Sequence, residues 1–370
     1  MDEVPEGWFR DSPANRERHG QREINTARAE PVSYVPYEEH TAPPDEARPP
    51  RRRSRRPWLW RIPAIIAVVL LVSVIGGYFY LDSRLQRESA LAGYANRVGD
   101  TPGTNWLIVG SDSRAGLSKK DKKNLRTGSA EGKRTDSIML LHYGDGGTTL
   151  VSIPRDSYVP IPGHGSNKIN AAYAFGGSPL LVRTVEQATG IHIDHFAEIG
   201  FSGFVGVVDA IGGVNLCVKD AIKDPKAGLN VKAGCQDLNG TNALGYVRTR
   251  KFANGDLERI KHQREFFSAL ISKSTSFGVL ANPFKSIPLA LNSTSNFTVD
   301  NGDDLSDLAG MMWAMRGVSG GDGLTLSVPF GSFGSSAAAG SYVNWDPSRA
   351  KQLFEALRKD QAVPRSLAAK

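Results

Sequence analysis

The 370-residue chain predicts an α/β domain with helices on both faces of a sheet, set behind one membrane-crossing helix and a disordered N-terminal tail. Three observations predict it. From residue 104 onward, short apolar runs alternate with segments of helical periodicity, the pattern of a sheet covered by helices. Residues 62–81 form an uncharged run of 20 residues. At ~1.5 Å per residue such a run crosses a ~30 Å hydrocarbon core. Residues 1–50 carry 11 Asp and Glu against six Arg, show no apolar periodicity and end in Pro43, Pro44, Pro49 and Pro50. That composition buries too little apolar surface to offset the entropy of ordering. A hydrophobic share of 40% excludes a wholly disordered chain, and two cysteines exclude a disulfide-dense scaffold or a four-thiolate zinc site.

Taken in order, residues 1–57 are the tail, closing on Arg51, Arg52, Arg53, Arg55 and Arg56, with Arg61 just beyond. In a soluble protein this run suits a nuclear signal or a nucleic-acid patch. Beside an apolar span it holds the N-terminus in the cytoplasm and touches anionic lipid. The span, 58–81, has Trp58 and Trp60 on one flank and Tyr78 and Tyr80 on the other, as interfacial aromatics require. The long stretch before it disfavours a cleaved signal peptide, and the arginine block disfavours a buried core helix. Residues 82–103 read as a polar connector, 104–362 as an extracytoplasmic domain and 363–370 as a tail. Strands are expected at 106–109, 137–141, 149–153, 195–199 and 214–218. Helices are expected at 180–189, 202–211, 241–248, 257–274, 305–316 and 347–358, the last opened by Asp346 as N-cap and Pro347 at N1. The Gly-, Ser- and Ala-rich stretch 317–341 reads as loop around one strand, 324–328. Outside the cytoplasm, joining Cys217 to Cys235 closes a loop of about 18 residues, worth about 3 kcal/mol in the chain-entropy model.

The net charge of +7 on its face suggests nucleic acid or an anionic surface as partner. The acidic tail nearly cancels the arginines of 51–61, so the remaining excess belongs to 62–370. There, charged clusters adjoin expected strands: Gly110-Ser111-Asp112-Ser113-Arg114, Lys133-Arg134-Thr135-Asp136 and Pro154-Arg155-Asp156-Ser157. Arg248, Arg250 and Lys251 precede a helix start that carries Asp256, Arg259 and Gln263. Strand ends are where open α/β sheets place ligands. Arginine's planar fork matches phosphate oxygens, and Asp112 with Asp136 suits a hard divalent cation, Mg²⁺ first. Together these parts suit a pyrophosphate and the charge of its leaving group. A single pair such as Arg155 and Asp156 equally suits a solvated ion pair; convergence at several strand ends is what points to chemistry. The run Gly317-Val318-Ser319-Gly320-Gly321 follows a helix, whereas a nucleophile elbow follows a strand. No phosphate-loop motif occurs, and the seven histidines hold no His-Glu-x-x-His pair. His192 and His195 straddle a turn, and His164 lies near Lys168 and Asn170.

The series GSDSR (110–114), RTDS (134–137), SIPRDS (152–157), KINAAYAFGG (168–177), DAIGGV (209–214), VRTRK (247–251) and DLERIKHQ (256–263) resembles the LytR-CpsA-Psr family over about residues 104–275. The long charged tail is like that of actinobacterial members, and the last 95 residues match less clearly. The resemblance implies an α-β-α sandwich with a mixed central sheet. It implies a phosphotransferase that moves a glycopolymer, such as arabinogalactan or a teichoic-acid-like or capsular polymer, from a polyprenyl-pyrophosphate carrier to peptidoglycan. Asp112 and Asp136 would ligate Mg²⁺, with Mn²⁺ as substitute. Arg114, Arg134, Arg155, Arg248, Arg250 and Arg259 would bind the pyrophosphate, supported by Lys168, Asn170 and Gln263. Arg155, Arg134, Arg250 and Asp156 form the expected catalytic group, Asp156 as general base or as an arginine-orienting group. Phe204, Val205, Phe267, Leu270 and Ile271 would line an apolar tunnel for the prenyl chain, although apolar helix residues equally suit a core. Membrane lipids are expected contacts and nucleic acid is not. The rival readings are a polyprenyl-pyrophosphate phosphatase, a membrane-bound transcriptional regulator and a non-catalytic wall-binding scaffold.

Overall fold

The computed structural model describes residue 33 and residues 58–112, 135–249 and 256–368, with backbone alone for 58–60, 256–261, 264 and 319. Helix α1 (Trp58–Asp82) opens it. Its segment Arg61–Asp82 has a mean hydropathy of 2.5, and among the described residues nothing buries its apolar 18-residue stretch. Pro63 lies inside the helix beyond its first turn, where it removes one i→i−4 hydrogen bond. Among the described residues this helix alone is long and apolar enough to cross a membrane, which fits the single span expected at 58–81.

After α1 come β1 (Gln86–Glu88), β2 (Thr104–Ser111), β3 (Thr135–Tyr143) and β4 (Thr149–Ile153), then a small hairpin of β5 (Tyr158–Ile161) and β6 (Gly165–Lys168). Helix α2 (Ile169–Thr189) leads to β7 (His195–Ile199), and α3 (Phe201–Ala210) to β8 (Val214–Val218), β9 (Ile222–Asp224), β10 (Leu229–Val231) and β11 (Gly234–Leu238). Helices α4 (Gly240–Arg248), α5 (Asp256–Ser274), α6 (Phe277–Leu280) and α7 (Pro283–Asn296) follow. The chain closes with β12 (Phe297–Asp300), α8 (Leu305–Gly320), β13 (Leu324–Ser327), β14 (Phe330–Ser336), β15 (Gly340–Trp345) and α9 (Pro347–Arg358).

Seven strands make the main sheet in the order β1-β12-β7-β2-β3-β4-β13. β2 runs parallel to β7 and antiparallel to β3, while β13 runs parallel to β4, so the sheet is mixed. Alternation along β2 divides the core. Leu107 and Val109 face a cluster with Leu181 of α2 and Leu353 of α9, and Trp106 faces Ile271 of α5 with Met311 and Met315 of α8. A third cluster lies beyond the end of β7, where Phe204 and Val208 of α3 meet Leu244 and Tyr246 of α4 and Phe266 of α5. Helices on both faces with a lobe at one end is the expected α-β-α arrangement.

Several segments differ from expectation for identifiable reasons. The connector is folded in: β1 forms the sheet edge beside β12, and Leu85 and Ala90 are buried. The helix expected at 180–189 is present as the second part of α2, and an unexpected first part opens at Ile169; Gly176 and Gly177, the latter at φ 67°, leave helical geometry and separate the two. The stretch 317–341 is not loop around one strand. Helix α8 continues to Gly320, and β14 pairs with β15 in a hairpin. Small residues suit that hairpin, since a side chain at Gly334 would strike the Tyr342 ring. The strand 214–218 exists but pairs with β11, outside the main sheet. That register sets Cys217 directly opposite Cys235, and the two are joined in a disulfide.

Candidate active site

The strand ends that converge on the lobe define the site. At the end of β2, Gly110 pairs with Ser137 but Ser111 pairs with Thr135, so Asp136 is the extra residue of a β-bulge. A bulge frees a side chain from the pleat and re-aims it. Asp136 uses that freedom to face Arg155, with Nη1 2.6 Å from Oδ1. Arg155 follows β4, and its Nε lies 3.4 Å from Asp156, whose other oxygen is 3.1 Å from Lys168. The start of α2 fastens this turn: the Ile169 amide donates to Ser157 and the Asn170 amide to Arg155, at 2.8 and 3.3 Å. Carboxylates and cations thus alternate from Asp136 to Lys168, with Asp136 the most exposed of them at 42%.

Below this chain opens a cavity of about 370 Å³. Its polar lining includes Ser111, Asp136, Arg155, Asp224, Lys226, Arg248 and Gln263, and its apolar lining Ile199, Phe201, Phe204, Leu244, Val247 and Phe267. Arg248 lies 4.7 Å over the Phe201 ring, a cation–π contact that holds the guanidinium at the junction of the two surfaces. Gln263 donates to the Val247 carbonyl at 2.8 Å. Buried Asp224 accepts from Thr249 Oγ1 at 2.7 Å and from the Lys226 amide at 3.0 Å, which fixes the Asp224–Lys226 turn in the wall.

Behind the site, the Glu198 carboxylate is buried and accepts from Ser111 Oγ and from Tyr173 OH, both at 2.6 Å. Burial raises the Tyr173 pKa, and the Glu198 charge and hydrogen bond raise it further, so the phenol stays protonated as a donor. Ser111, and with it the backbone leading to Asp112, is held from below.

Of the residues singled out from sequence, Asp136, Arg155, Arg248, Gln263, Phe204 and Phe267 line this one cavity. Asp156 and Lys168 adjoin it through Arg155, and Asp112 follows Ser111 at its edge. Asn170 meets the Arg155 turn through its backbone. Arg114, Arg134 and Arg250 lie outside the described residues, as does the side chain of Arg259. Val205, Leu270 and Ile271 do not line the cavity. Val205 and Leu270 pack on the lobe's core cluster, and Ile271, one turn beyond Phe267, is turned into the core beneath the sheet. Ser319 belongs to the end of α8, not to a strand-to-helix elbow. His164 stacks on Phe175 with ring centroids 4.7 Å apart. Sequence reading missed Ser111, Glu198, Tyr173, Phe201, Asp224 and Lys226. The available signal was Glu198, a carboxylate between the apolar residues Ala197 and Ile199 of β7.

The arrangement is amphiphilic: cations and carboxylates above, aromatic and aliphatic side chains below. It can take a ligand with an anionic head and an apolar tail. The family model of the LytR_cpsA_psr family matches residues 82–359. The "Probable cell wall biosynthesis protein LcpB" of Corynebacterium glutamicum is 48% identical over 303 residues, covering 81% of this chain and 71% of that protein. TagT of Bacillus subtilis, a "Polyisoprenyl-teichoic acid--peptidoglycan teichoic acid transferase", is 33% identical over 247 residues, 62% of this chain and 76% of TagT. The solved structure "TagT bound to LI-WTA" superposes with a TM-score of 0.54 at 27% identity, covering 75% of this chain and 97% of the other. The family model spans both the sheet that carries Asp136 and Arg155 and the lobe that holds the cavity, so this chain belongs to the LytR_cpsA_psr family.

Proposed function

We propose that this protein is a phosphotransferase that attaches a glycopolymer, carried on a polyprenyl pyrophosphate, to peptidoglycan through a phosphodiester bond. The observation that carries the reading is the cavity: its mouth holds Asp136, Arg155 and Arg248, and its walls are the aromatic rings of Phe201, Phe204 and Phe267. The name of TagT supplies the class of reaction, and that of LcpB the setting of cell wall biosynthesis. The acceptor hydroxyl oxygen forms a bond to the sugar-linked phosphorus and gives up its proton to water at the open mouth. The bond from that phosphorus to the polyprenyl phosphate breaks, and the lipid phosphate leaves. Arg155, Arg248 and, beyond the described residues, Arg114, Arg134 and Arg250 would neutralise the leaving charge, with Arg259 and Gln263 beside them and Asn170 holding the Arg155 turn. Asp156 sits between Arg155 and Lys168, an arrangement that favours orienting the guanidinium over accepting the proton.

The donor set at the mouth fits a hard cation, since two carboxylates, Asp112 and Asp136, stand at facing strand ends. Mg²⁺, or Mn²⁺ in its place, would be held by these two residues and would supply Lewis-acid neutralisation of the pyrophosphate. The arginine block 51–61 supports an N-terminus in the cytoplasm and a domain outside it, and the Cys217–Cys235 disulfide fits an oxidising compartment.

Depletion of the protein in its host tests the reading. Wall-bound polymer should fall while the lipid-linked precursor accumulates, and a copy carrying Arg155→Ala should fail to reverse either change. Accumulation of polyprenyl pyrophosphate with normal wall polymer would point instead to the phosphatase.

A further inference from the structure

Outside α1, the described residues expose seven large apolar side chains, and four of them fall between 277 and 287: Phe277 at 85%, Leu280 at 55%, Phe284 at 88% and Ile287 at 57%. Monomeric soluble surfaces scatter such residues singly; a cluster marks a contact. The corner between α6 and α7 is built to present them. Val279 and Leu289 turn inward onto the lobe's core while the four face out, and Asn282 caps α7 by accepting from the Phe284 amide at 3.0 Å. From 266 to 299 the sequence holds no Asp or Glu and two lysines, Lys273 and Lys285. An apolar tip on a stretch without negative charge complements an anionic lipid surface.

The fold says which surface is at hand. Helix α1 enters the sheet at edge strand β1, and α7 enters it at the neighbouring strand β12. The two segments are stitched together where Gln86 Nε2 donates to the Ser295 carbonyl at 2.9 Å. The last residue of α1 is also held, since Asp82 Oδ1 accepts from the Leu305 amide at 3.1 Å. The membrane anchor and the apolar corner therefore join one edge of the sheet, whereas the hairpin that bears exposed Phe333 joins the other. We propose that the corner 277–287 docks into the headgroup–acyl boundary of an anionic bilayer, which places the lobe and its cavity against the membrane surface. The inference rests on α1 as a membrane span and not on the transfer reaction.

The two native cysteines are joined, so a cysteine placed by Phe284→Cys or Phe333→Cys offers one labelling point. The full-length protein, labelled there with an environment-sensitive fluorophore, is reconstituted one copy per nanodisc of phosphatidylglycerol and phosphatidylcholine, without substrate. The expected result is blue-shifted emission at 284 and at least a twofold loss of intensity when nitroxide lipids are included, with neither change at 333. In neutral discs the loss at 284 should shrink. Equal, water-like emission at both positions overturns the proposal. So does protection at 284 that appears only when several copies share a vesicle, which would assign the corner to a second copy of this chain. Because no substrate is present, neither outcome depends on whether the protein transfers a polymer.

Discussion

Two arginine–carboxylate groups in this chain use the same chemistry to opposite ends. Glu186 of α2 is fully buried and saturated: Arg97 bridges both its oxygens, the Tyr94 hydroxyl donates at 2.7 Å and the Ile193 amide at 3.0 Å. Burial and the Glu186 charge push the Tyr94 pKa up to about 12, so that phenol remains a donor. This group ties the segment after α1 to the sheet domain. Around Arg155 the pairs lie open to the cavity mouth, with Asp136 42% exposed and Asp156 22%. Where a carboxylate's partners are all supplied by the fold, it holds structure together. Where it faces a cavity, charge is kept for a ligand.

The comparison can be broken by exchanging the two effects. Arg155→Ala should lower polymer transfer by about 10²–10³-fold, as removal of one preorganised donor does. Its urea midpoint should move less, because Asp136 and Asp156 stand at an open mouth where water can take the place of the guanidinium. Glu186→Ala should do the reverse, lowering unfolding stability by about 3 kcal/mol because Arg97 and two further donors lose a buried acceptor. The folded fraction of that variant should keep its specific activity. Similar unfolding curves for both variants would remove the distinction.

That division explains what was legible in the sequence. Strands β2, β3, β4 and β7 announce themselves as short apolar runs, and Asp136 and Arg155 stand at their ends, where ligand sites form. The bulge that aims Asp136 is not legible, because it depends on register with a partner strand. Asp224 and Glu198 escaped notice because their partners, Thr249, Ser111 and Tyr173, are brought to them only by tertiary folding. The β14–β15 hairpin was hidden by its Gly and Ser content, which carries no apolar alternation. The tunnel residues show the limit of periodicity: Phe267 and Ile271 are one turn apart on α5 and both touch the sheet core, yet only Phe267 lines the cavity.

A second test sharpens the contrast between sheet and lobe. The disulfide spans 18 residues and lies wholly within the lobe. Cys217→Ser with Cys235→Ser should lower stability by about 3 kcal/mol in the chain-entropy model. Hydrogen exchange should speed up in β8–β11 and α4 before it does in β2 and β3. Uniform acceleration would mean that the lobe and the sheet unfold as one unit.

The smallest effect concerns two histidines. Burial alone would lower His195, but the hydrogen bond and charge of Asp303, with Asp307 and Asp194 beyond, outweigh it and raise the pKa. Its contribution is complete below the unfolded value of about 6.5 and is lost as pH rises through the folded value. Burial lowers His142 despite Asp360, so its contribution is lost as pH falls from about 6.5 toward the folded value. Denaturation between pH 5 and 8 should therefore show His195→Asn flattening the alkaline side and His142→Asn the acidic side. The same change from both variants would contradict the assignment.

The most direct test follows the phosphorus. The full-length protein in nanodiscs receives a polyprenyl-pyrophosphate-linked glycan whose sugar-proximal phosphate is ³²P-labelled, together with Mg²⁺ and peptidoglycan. The account predicts that the label enters peptidoglycan in a phosphodiester while unlabelled polyprenyl phosphate is released, and that Arg155→Ala slows both together. Label recovered as inorganic phosphate or as a free sugar phosphate, with none in peptidoglycan, would contradict it.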